Sequence, residues 1–119
     1  MIAMKKIYLL ANCGTCQQIL DEFGDKARSF EKQDIKTVKL SEEQLEQMKK
    51  MAGSYEALFS RRALKYRELG LNNQTLSETD YRRLILEEYT FLKRPVIIND
   101  DKIFIGNAPK TINAAKSSM

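Results

Sequence analysis

The feature that most constrains this chain is a short apolar segment that runs directly into a pair of cysteines. Residues 7–11 are apolar without polar alternation, which predicts a buried strand. The motif Cys13-Gly14-Thr15-Cys16 follows. From Cys16 onward, apolar residues recur at helical spacing as far as Gly24, a residue typical of helix C-caps. A strand that passes through a tight loop into a helix would place both cysteines at the start of that helix.

The order of the remaining elements predicts the fold class. A strand over 29–36 is followed by a helix that runs from the capping box Ser41–Gln44 to Gly53. One or two short helices within 55–69 then end at Gly70, and a helix over 77–92 is capped by Ser77 or Thr79. Last come two strands, over 96–98 and 103–105, joined by a turn at 99–102, and a helix over 109–116. A βαβ half followed by a ββα half is the thioredoxin- or glutaredoxin-like layout. We therefore expect one α/β domain over 1–119, in which flanking helices cover a mixed central sheet and a helical insert occupies about 41–92.

Composition removes several classes of site. The chain has 119 residues with two cysteines and no histidine. Two thiols are too few for a disulfide scaffold or for a four-ligand zinc site within one chain, so no metal is expected. Without histidine there is no Cys-His dyad, and an activated thiol must depend on a helix N-terminus and on Lys or Arg. Two alternatives stay open: metal shared between two chains, and two structural cysteines that happen to lie three residues apart.

The N-terminal segment loosely imitates a lipoprotein signal, because Lys5 and Lys6 precede an apolar run that leads to Cys13. That run is shorter than a signal core, which needs roughly 7–15 residues. No apolar run approaches the roughly 20 residues that cross a bilayer. We expect a cytoplasmic protein without a membrane partner.

The cysteine motif has a specific chemical interpretation. Free N–H groups and the positive end of the helix dipole at a helix N-terminus stabilise a thiolate, so Cys13 would be a nucleophile. Cys16 lies about one turn later and could resolve a mixed disulfide formed on Cys13. Gly14 would keep the loop permissive, and Thr15 could cap the helix. The same N–H groups also bind oxyanions.

Two further regions supply positive charge. Arg94 stands immediately before Pro95 at the start of a predicted strand, where it could reach the Cys13 loop, although a cation at a helix C-terminus is the alternative. Pro95 is a candidate for a cis peptide bond. The basic stretch over 61–67, which includes Arg61 and Arg62, fits a solvated helix face, an anion site or a nucleic-acid contact. Direct nucleic-acid binding is not expected.

Taken together, these segments resemble the glutaredoxin-coupled arsenate reductase family, which includes the Spx regulators. The matching segments are residues 7–8, 13–16, 34–35, 66–71, 94–98 and Gly106. The resemblance implies that Cys13 attacks arsenate and that glutathione with glutaredoxin reduces the adduct, with no bound cofactor. It implies that Arg94 holds the oxyanion and that Pro95 is the cis-proline of thioredoxin-like folds.

Several positions depart from the classical reductase pattern. Leu9 stands where those proteins have a basic or polar residue, Ser60 where they have a second arginine, and Asn107 where they have a third. Arg61 and Arg62 follow Ser60 directly, and Arg62 matches an arginine of Spx-like members. Cys16 stands where classical members often have serine, while Spx proteins have cysteine.

Three hypotheses about function follow. The first is a thiol-dependent reductase of arsenate or a related small substrate, in which Gly14, Thr15, Arg61, Arg62, Arg94 and Pro95 bind the substrate beside Cys13. The second is an Spx-like redox-sensing regulator that binds the α-subunit of RNA polymerase, with Cys13 and Cys16 as its switch. The third is a general disulfide reductase, coupled to glutaredoxin or thioredoxin, or a degenerate member of the family.

Overall fold

The computed structural model describes residues 4–119, which divide into two compact units. The first unit consists of the described residues up to Lys39 together with Arg94–Met119. The second is Leu40–Lys93, nearly the segment expected as a helical insert.

A four-stranded mixed sheet forms the centre of the first unit. Its strands are β1 (Lys5–Leu9), β2 (Glu31–Asp34), β3 (Val96–Asn99) and β4 (Lys102–Ile105), in the order β2-β1-β3-β4. β1 is parallel to β2, whereas the pairs β1–β3 and β3–β4 are antiparallel. The mixed sheet and the final hairpin are both as predicted, and the hairpin turn contains Asp100 in the left-handed region at φ 57°.

The first two strands differ from the predicted bounds. β1 lies two residues earlier than expected because Lys5 and Lys6 pair with the end of β3, although neither is apolar. Strand β2 is shorter than the predicted 29–36. Its C-terminal end is set by a turn in which the Thr37 N–H donates to the Asp34 carbonyl at 3.2 Å.

Five α-helices accompany the sheet: α1 (Gly14–Phe23), α2 (Glu42–Ala52), α3 (Leu64–Glu68), α4 (Glu78–Glu87) and α5 (Pro109–Ser118). Helix α1 begins before the expected Cys16. Cys13 is its N-cap, so Thr15 is a residue of the first turn and not the cap that the sequence suggested. Gly24 ends the helix at φ 56°, as predicted. None of the helices among residues 4–119 combines the length and apolarity that crossing a membrane requires.

The core of the first unit lies between the sheet and helices α1 and α5. Alternate residues of the strands face these helices, as the two-residue period of a strand requires. The buried cluster consists of Ile7, Leu9, Cys16, Ile19, Phe23, Ala27, Phe30, Ile97, Ile112 and Ala115. Cys16 is therefore a core residue, whereas Cys13 packs against the edge of this cluster.

The second unit is helical, and its first helix follows the sequence signals closely. Ser41 and Gln44 make both hydrogen bonds of a capping box on α2, which ends at Gly53 in the left-handed region. The predicted short helices within 55–69 are a 3₁₀ turn over Glu56–Leu58 and helix α3, followed by Gly70.

Helix α4 is shorter than predicted. Ser77, and not Thr79, is its N-cap, and the helix ends at Glu87 instead of continuing to Leu92. Glu88 is extended, and its carboxylate accepts a hydrogen bond from the Thr90 N–H at 3.3 Å. This side chain starts a separate 3₁₀ turn, which interrupts the helix although the apolar spacing continues.

Candidate active site around Cys13

Cys13 occupies the junction between strand β1 and helix α1. A four-residue turn joins the two elements, and the Cys13 N–H donates to the Leu10 carbonyl at 3.1 Å. The Cys13 carbonyl in turn accepts the first hydrogen bond of the helix, from the Gln17 N–H at 3.1 Å. The backbone of Cys13 is therefore fixed on both sides, and its side chain is half-buried.

The pKa of the Cys13 thiol lies below its ordinary value. The largest cause is the backbone N–H of Cys16, which points toward the sulfur. The Cys16 thiol and the Thr15 N–H also donate to it, and the positive charge of Arg94 adds to the effect. Partial burial of Cys13 opposes the change without reversing it. A thiol with a lowered pKa carries more of the nucleophilic thiolate at neutral pH.

Cys16 has the opposite character. It is only 2% exposed, and this burial is the main reason that the pKa of its thiol is raised. Its hydrogen bond to the Cys13 sulfur raises the pKa further, because the proton that is donated must stay on Cys16. Both cysteines are in the thiol state and not joined by a disulfide. The pair thus consists of an accessible nucleophile and a protonated neighbour within hydrogen-bonding reach.

Arg94 is placed by the start of strand β3. The Arg94–Pro95 peptide bond is cis, as the sequence suggested, and the Pro95 carbonyl accepts from the Gly106 N–H at 2.9 Å. The charge of Arg94 lowers the pKa of both cysteine thiols, so it acts at the site itself. Helix α4 ends at Glu87, so Arg94 is not in the last turn of that helix.

Gly14 and Thr15 contribute backbone N–H groups to the site rather than side chains. Gly14 and Thr15 are the first two residues of α1, so their N–H groups lie at its free N-terminus. Gly14 has a negative φ, so the backbone does not require glycine there. The loop preceding Gly14 therefore does not depend on the conformational freedom that the sequence suggested.

Arg61 and Arg62 belong to the second unit, where their surroundings differ. The Arg61 guanidinium donates to the Glu56 carboxylate at 2.7 Å and to the Tyr81 hydroxyl at 2.9 Å. Arg61 therefore already has a counter-charge. Arg62 is exposed and takes part in none of the ion pairs found among residues 4–119.

The departures from the reductase pattern have clear positions. Leu9 is buried in the core cluster of the first unit. Asn107 follows Gly106 and is exposed. The Ser60 N–H donates to the Phe91 carbonyl at 2.7 Å, which holds the chain before the two arginines. Among residues 4–119 there is no group of three or more His, Cys, Asp or Glu side chains arranged to hold a metal ion.

Two polar side chains near these residues were not found from the sequence. Gln17 donates from Nε2 to the Ala11 carbonyl at 2.9 Å, which connects α1 to the turn before Cys13. Glu56 neutralises Arg61. Neither position belongs to a recognisable motif, although a polar residue one turn after the helix start could have drawn attention to Gln17.

Comparisons with known proteins identify a family and two relatives. A family model described as the ArsC family matches residues 8–115. An arsenate reductase from Haemophilus influenzae is 38% identical over 47 residues, which are 40% of this chain and 40% of that protein. The global transcriptional regulator Spx 2 from Bacillus anthracis is 22% identical over 105 residues, covering 87% of this chain and 79% of the regulator.

The solved structures support the fold. The structure of an arsenate reductase from Vibrio cholerae superposes with a TM-score of 0.78, covering 97% of this chain and 99% of that protein. Its sequence identity is 17%, so the similarity concerns the fold alone. The thioredoxin-like α/β fold expected from the sequence is thereby confirmed.

Proposed function

Since this chain belongs to the ArsC family, we propose that it is a thiol-dependent reductase of arsenate or a related small oxyanion. The observation that carries this proposal is the lowered pKa of Cys13 at the N-terminus of α1, with Arg94 close enough to contribute. A thiolate beside a cation and free N–H groups can both bind an anion and attack its central atom.

The first step is nucleophilic. The Cys13 thiolate attacks the arsenic(V) centre, an As–S bond forms, and one arsenate oxygen leaves as water after taking up protons. Arg94 and the N–H groups of Gly14 and Thr15 hold the remaining oxygens.

The second step is redox. A thiolate from Cys16 or from glutathione attacks the Cys13 sulfur, and the electron pair of the As–S bond passes to arsenic, which becomes arsenic(III). The thiol pair is oxidised to a disulfide. Glutathione with glutaredoxin, or thioredoxin, then returns two electrons and two protons. Cys16 must lose its proton to react, and formation of the adduct removes the thiolate charge that contributes to raising the Cys16 pKa.

The direct test is arsenate-dependent oxidation of NADPH in the presence of glutathione, glutaredoxin and glutathione reductase, with a parallel arm using thioredoxin and its reductase. The Cys13→Ser variant is the control. Turnover in either arm that disappears in this variant supports the proposal. Turnover no greater than that of the variant in both arms contradicts it, and reduction of insulin disulfides without arsenate would favour a general disulfide reductase.

The similarity to Spx 2 over most of the chain supports a second candidate, a cytoplasmic redox-sensing regulator that binds the α-subunit of RNA polymerase. Its switch would be the Cys13–Cys16 pair. Gly53, which stands where Spx proteins have a glycine, is the left-handed C-cap of α2, so helix termination already explains it. Binding to the polymerase α-subunit in one redox state only would favour this function, and no binding in either state would exclude it.

A further inference from the structure

The turn that carries Cys13 contains one peptide bond whose orientation is not fixed by the turn itself. The single backbone hydrogen bond, from the Cys13 N–H to the Leu10 carbonyl, closes the turn at its ends. In a four-residue turn the central peptide can rotate while the ends stay in place, which is the difference between type I and type II turns. Here the central peptide joins Ala11 and Asn12.

Both orientations are accessible to this sequence. The flipped form needs a positive φ at the third turn residue, and asparagine tolerates a positive φ better than most residues. In the structure Asn12 does not use it, since Asp100 is the only residue besides glycine with a positive φ among residues 4–119. Asparagine, like other residues besides glycine, prefers a negative φ, but its tolerance of the flipped form leaves room for a further contact to hold the observed orientation.

The Gln17 side chain provides this contact. Its Nε2 donates to the Ala11 carbonyl at 2.9 Å, and this carbonyl belongs to the central peptide of the turn. Rotating the peptide would turn the carbonyl away and break the bond. Gln17 itself is held in the first turns of α1, because its N–H donates to the Cys13 carbonyl. One exposed side chain thus connects the helix to the peptide that precedes Asn12.

We propose that Gln17 is a positioning residue for Cys13, which it serves by locking the Ala11–Asn12 peptide and so keeping Cys13 at the N-cap of α1. At this position the N–H groups of Thr15 and Cys16 face the Cys13 sulfur. A turn that sampled both orientations would let Cys13 spend part of its time away from these donors. The role rests on the proposed function only in that Cys13 is the nucleophile.

The test compares Gln17→Met with Gln18→Met, because Gln18 is the neighbouring exposed glutamine and the two changes have the same size and polarity. The readout is the pH dependence of Cys13 alkylation by iodoacetamide, with the modified peptide identified by mass spectrometry. At pH values below the pKa of Cys13, the fraction of Cys13 present as thiolate should be about threefold lower in Gln17→Met than in the original protein. This is the effect expected from losing one modest hydrogen bond. Gln18→Met should match the original protein.

A second pair of variants separates positioning from general effects on the helix. Gln17→Lys keeps a donor for the Ala11 carbonyl, whereas Gln18→Lys adds the same charge without it. Gln17→Lys should therefore show at least as much thiolate as Gln18→Lys. The thermal midpoints of the two methionine variants should agree, and the Asn12 amide resonance should shift or double in Gln17→Met alone.

Identical Cys13 titrations for Gln17→Met and Gln18→Met would overturn the proposal, as would a change in Gln17→Met that merely follows a drop in thermal midpoint. These titrations contain no arsenate. A protein that is inactive in the arsenate assay but still shows the Gln17-specific change would contradict the proposed function and leave the role of Gln17 intact. A protein that reduces arsenate but shows no Gln17-specific change would contradict the role of Gln17 and leave the proposed function intact.

Discussion

The thiol of Cys16 donates a hydrogen bond to the sulfur of Cys13, and this contact moves the pKa values of the two thiols apart. It lowers the pKa of Cys13 and raises that of Cys16, in each case adding to a larger cause. The pair is therefore not two equivalent thiols. One residue is prepared to attack, and the other keeps its proton until the first has reacted.

This contact can be tested by removing the donor. Cys16→Ala should raise the pKa of Cys13, because the thiolate loses one of its hydrogen bonds, while Cys16→Ser should preserve most of the effect through its hydroxyl. Alkylation of Cys13 as a function of pH measures both. The alanine variant should need a higher pH for half-maximal reactivity than the serine variant. Coinciding profiles would mean that the thiol contact does not influence Cys13.

Arg94 should matter for anion binding more than for folding. Its charge acts on both sulfurs, and an arginine contributes charge-assisted hydrogen bonds to an oxyanion that lysine only partly replaces. Sulfate and arsenate should protect Cys13 from alkylation. Arg94→Ala should raise the anion concentration that gives half-maximal protection by about tenfold or more, and Arg94→Lys should raise it less. Lys93→Ala, one residue earlier, is the control and should protect normally. Equal protection in all three variants would rule out a role for Arg94.

Tyr8 provides a test of the fold at alkaline pH. Its side chain is fully buried and its hydroxyl has no hydrogen-bond partner among the described residues. Burial raises the pKa of Tyr8 to about 12, with a smaller contribution from the charge of Glu31. The unfolded chain releases this proton near pH ~10 and the folded chain does not, so the free energy of unfolding should fall as the pH rises from about 10 to 12.

Tyr8→Phe removes both the unpaired hydroxyl and its ionisation. At pH 7 it should be neutral or stabilising by up to about 1 kcal/mol, because a buried polar group without a partner costs free energy. Between pH 10 and 12 its free energy of unfolding should fall less steeply than that of the original protein. Urea denaturation at several pH values measures both. Destabilisation of more than about 1 kcal/mol at pH 7 would indicate that the hydroxyl does have a partner.

Glu78 organises the segment before the two arginines. Its carboxylate accepts hydrogen bonds from the N–H groups of Tyr55 and Glu56, at 2.8 and 3.0 Å. Glu78→Ala should lower the free energy of unfolding by about 1 kcal/mol, the usual effect of losing a cap. Glu87→Ala loses only an ion pair with Arg83 on the same helix and should have a smaller effect. An equal loss in both variants would show that the two hydrogen bonds contribute little.

Local signals in the sequence were sufficient for much of the fold. The strand before Cys13, the capping box at Ser41 and the hairpin are predicted correctly, because each depends on neighbouring residues. The cis Arg94–Pro95 bond is predicted by the family resemblance, since few X-Pro bonds are cis in general. The end of α4 was not predicted, since the Glu88 side chain starts a new turn against the apolar spacing. The prediction of Thr15 as the cap of α1 is wrong. The N-cap is Cys13, which is not among the residue types that usually cap helices.

The candidate site was predictable in its chemistry but not in all its partners. The thiolate at a helix N-terminus and the cation before a proline follow from general principles and from the family resemblance. The pairing of Arg61 with Glu56 and Tyr81, and the bond from Gln17 to the Ala11 carbonyl, are tertiary or loop contacts without a sequence periodicity. Only the folded arrangement shows that Arg61 already has a counter-charge.

The most direct test of the central claim is a titration of Cys13 by thiolate absorbance, performed with the reduced protein in the presence and absence of arsenate and sulfate. The structure predicts that the absorbance titration gives a pKa below that of an ordinary cysteine. In samples alkylated in parallel, Cys13 should react more slowly when either anion is bound. A pKa at or above the ordinary value of about 8.5, with no protection by either anion, would contradict the assignment of Cys13 as a nucleophile beside an oxyanion site.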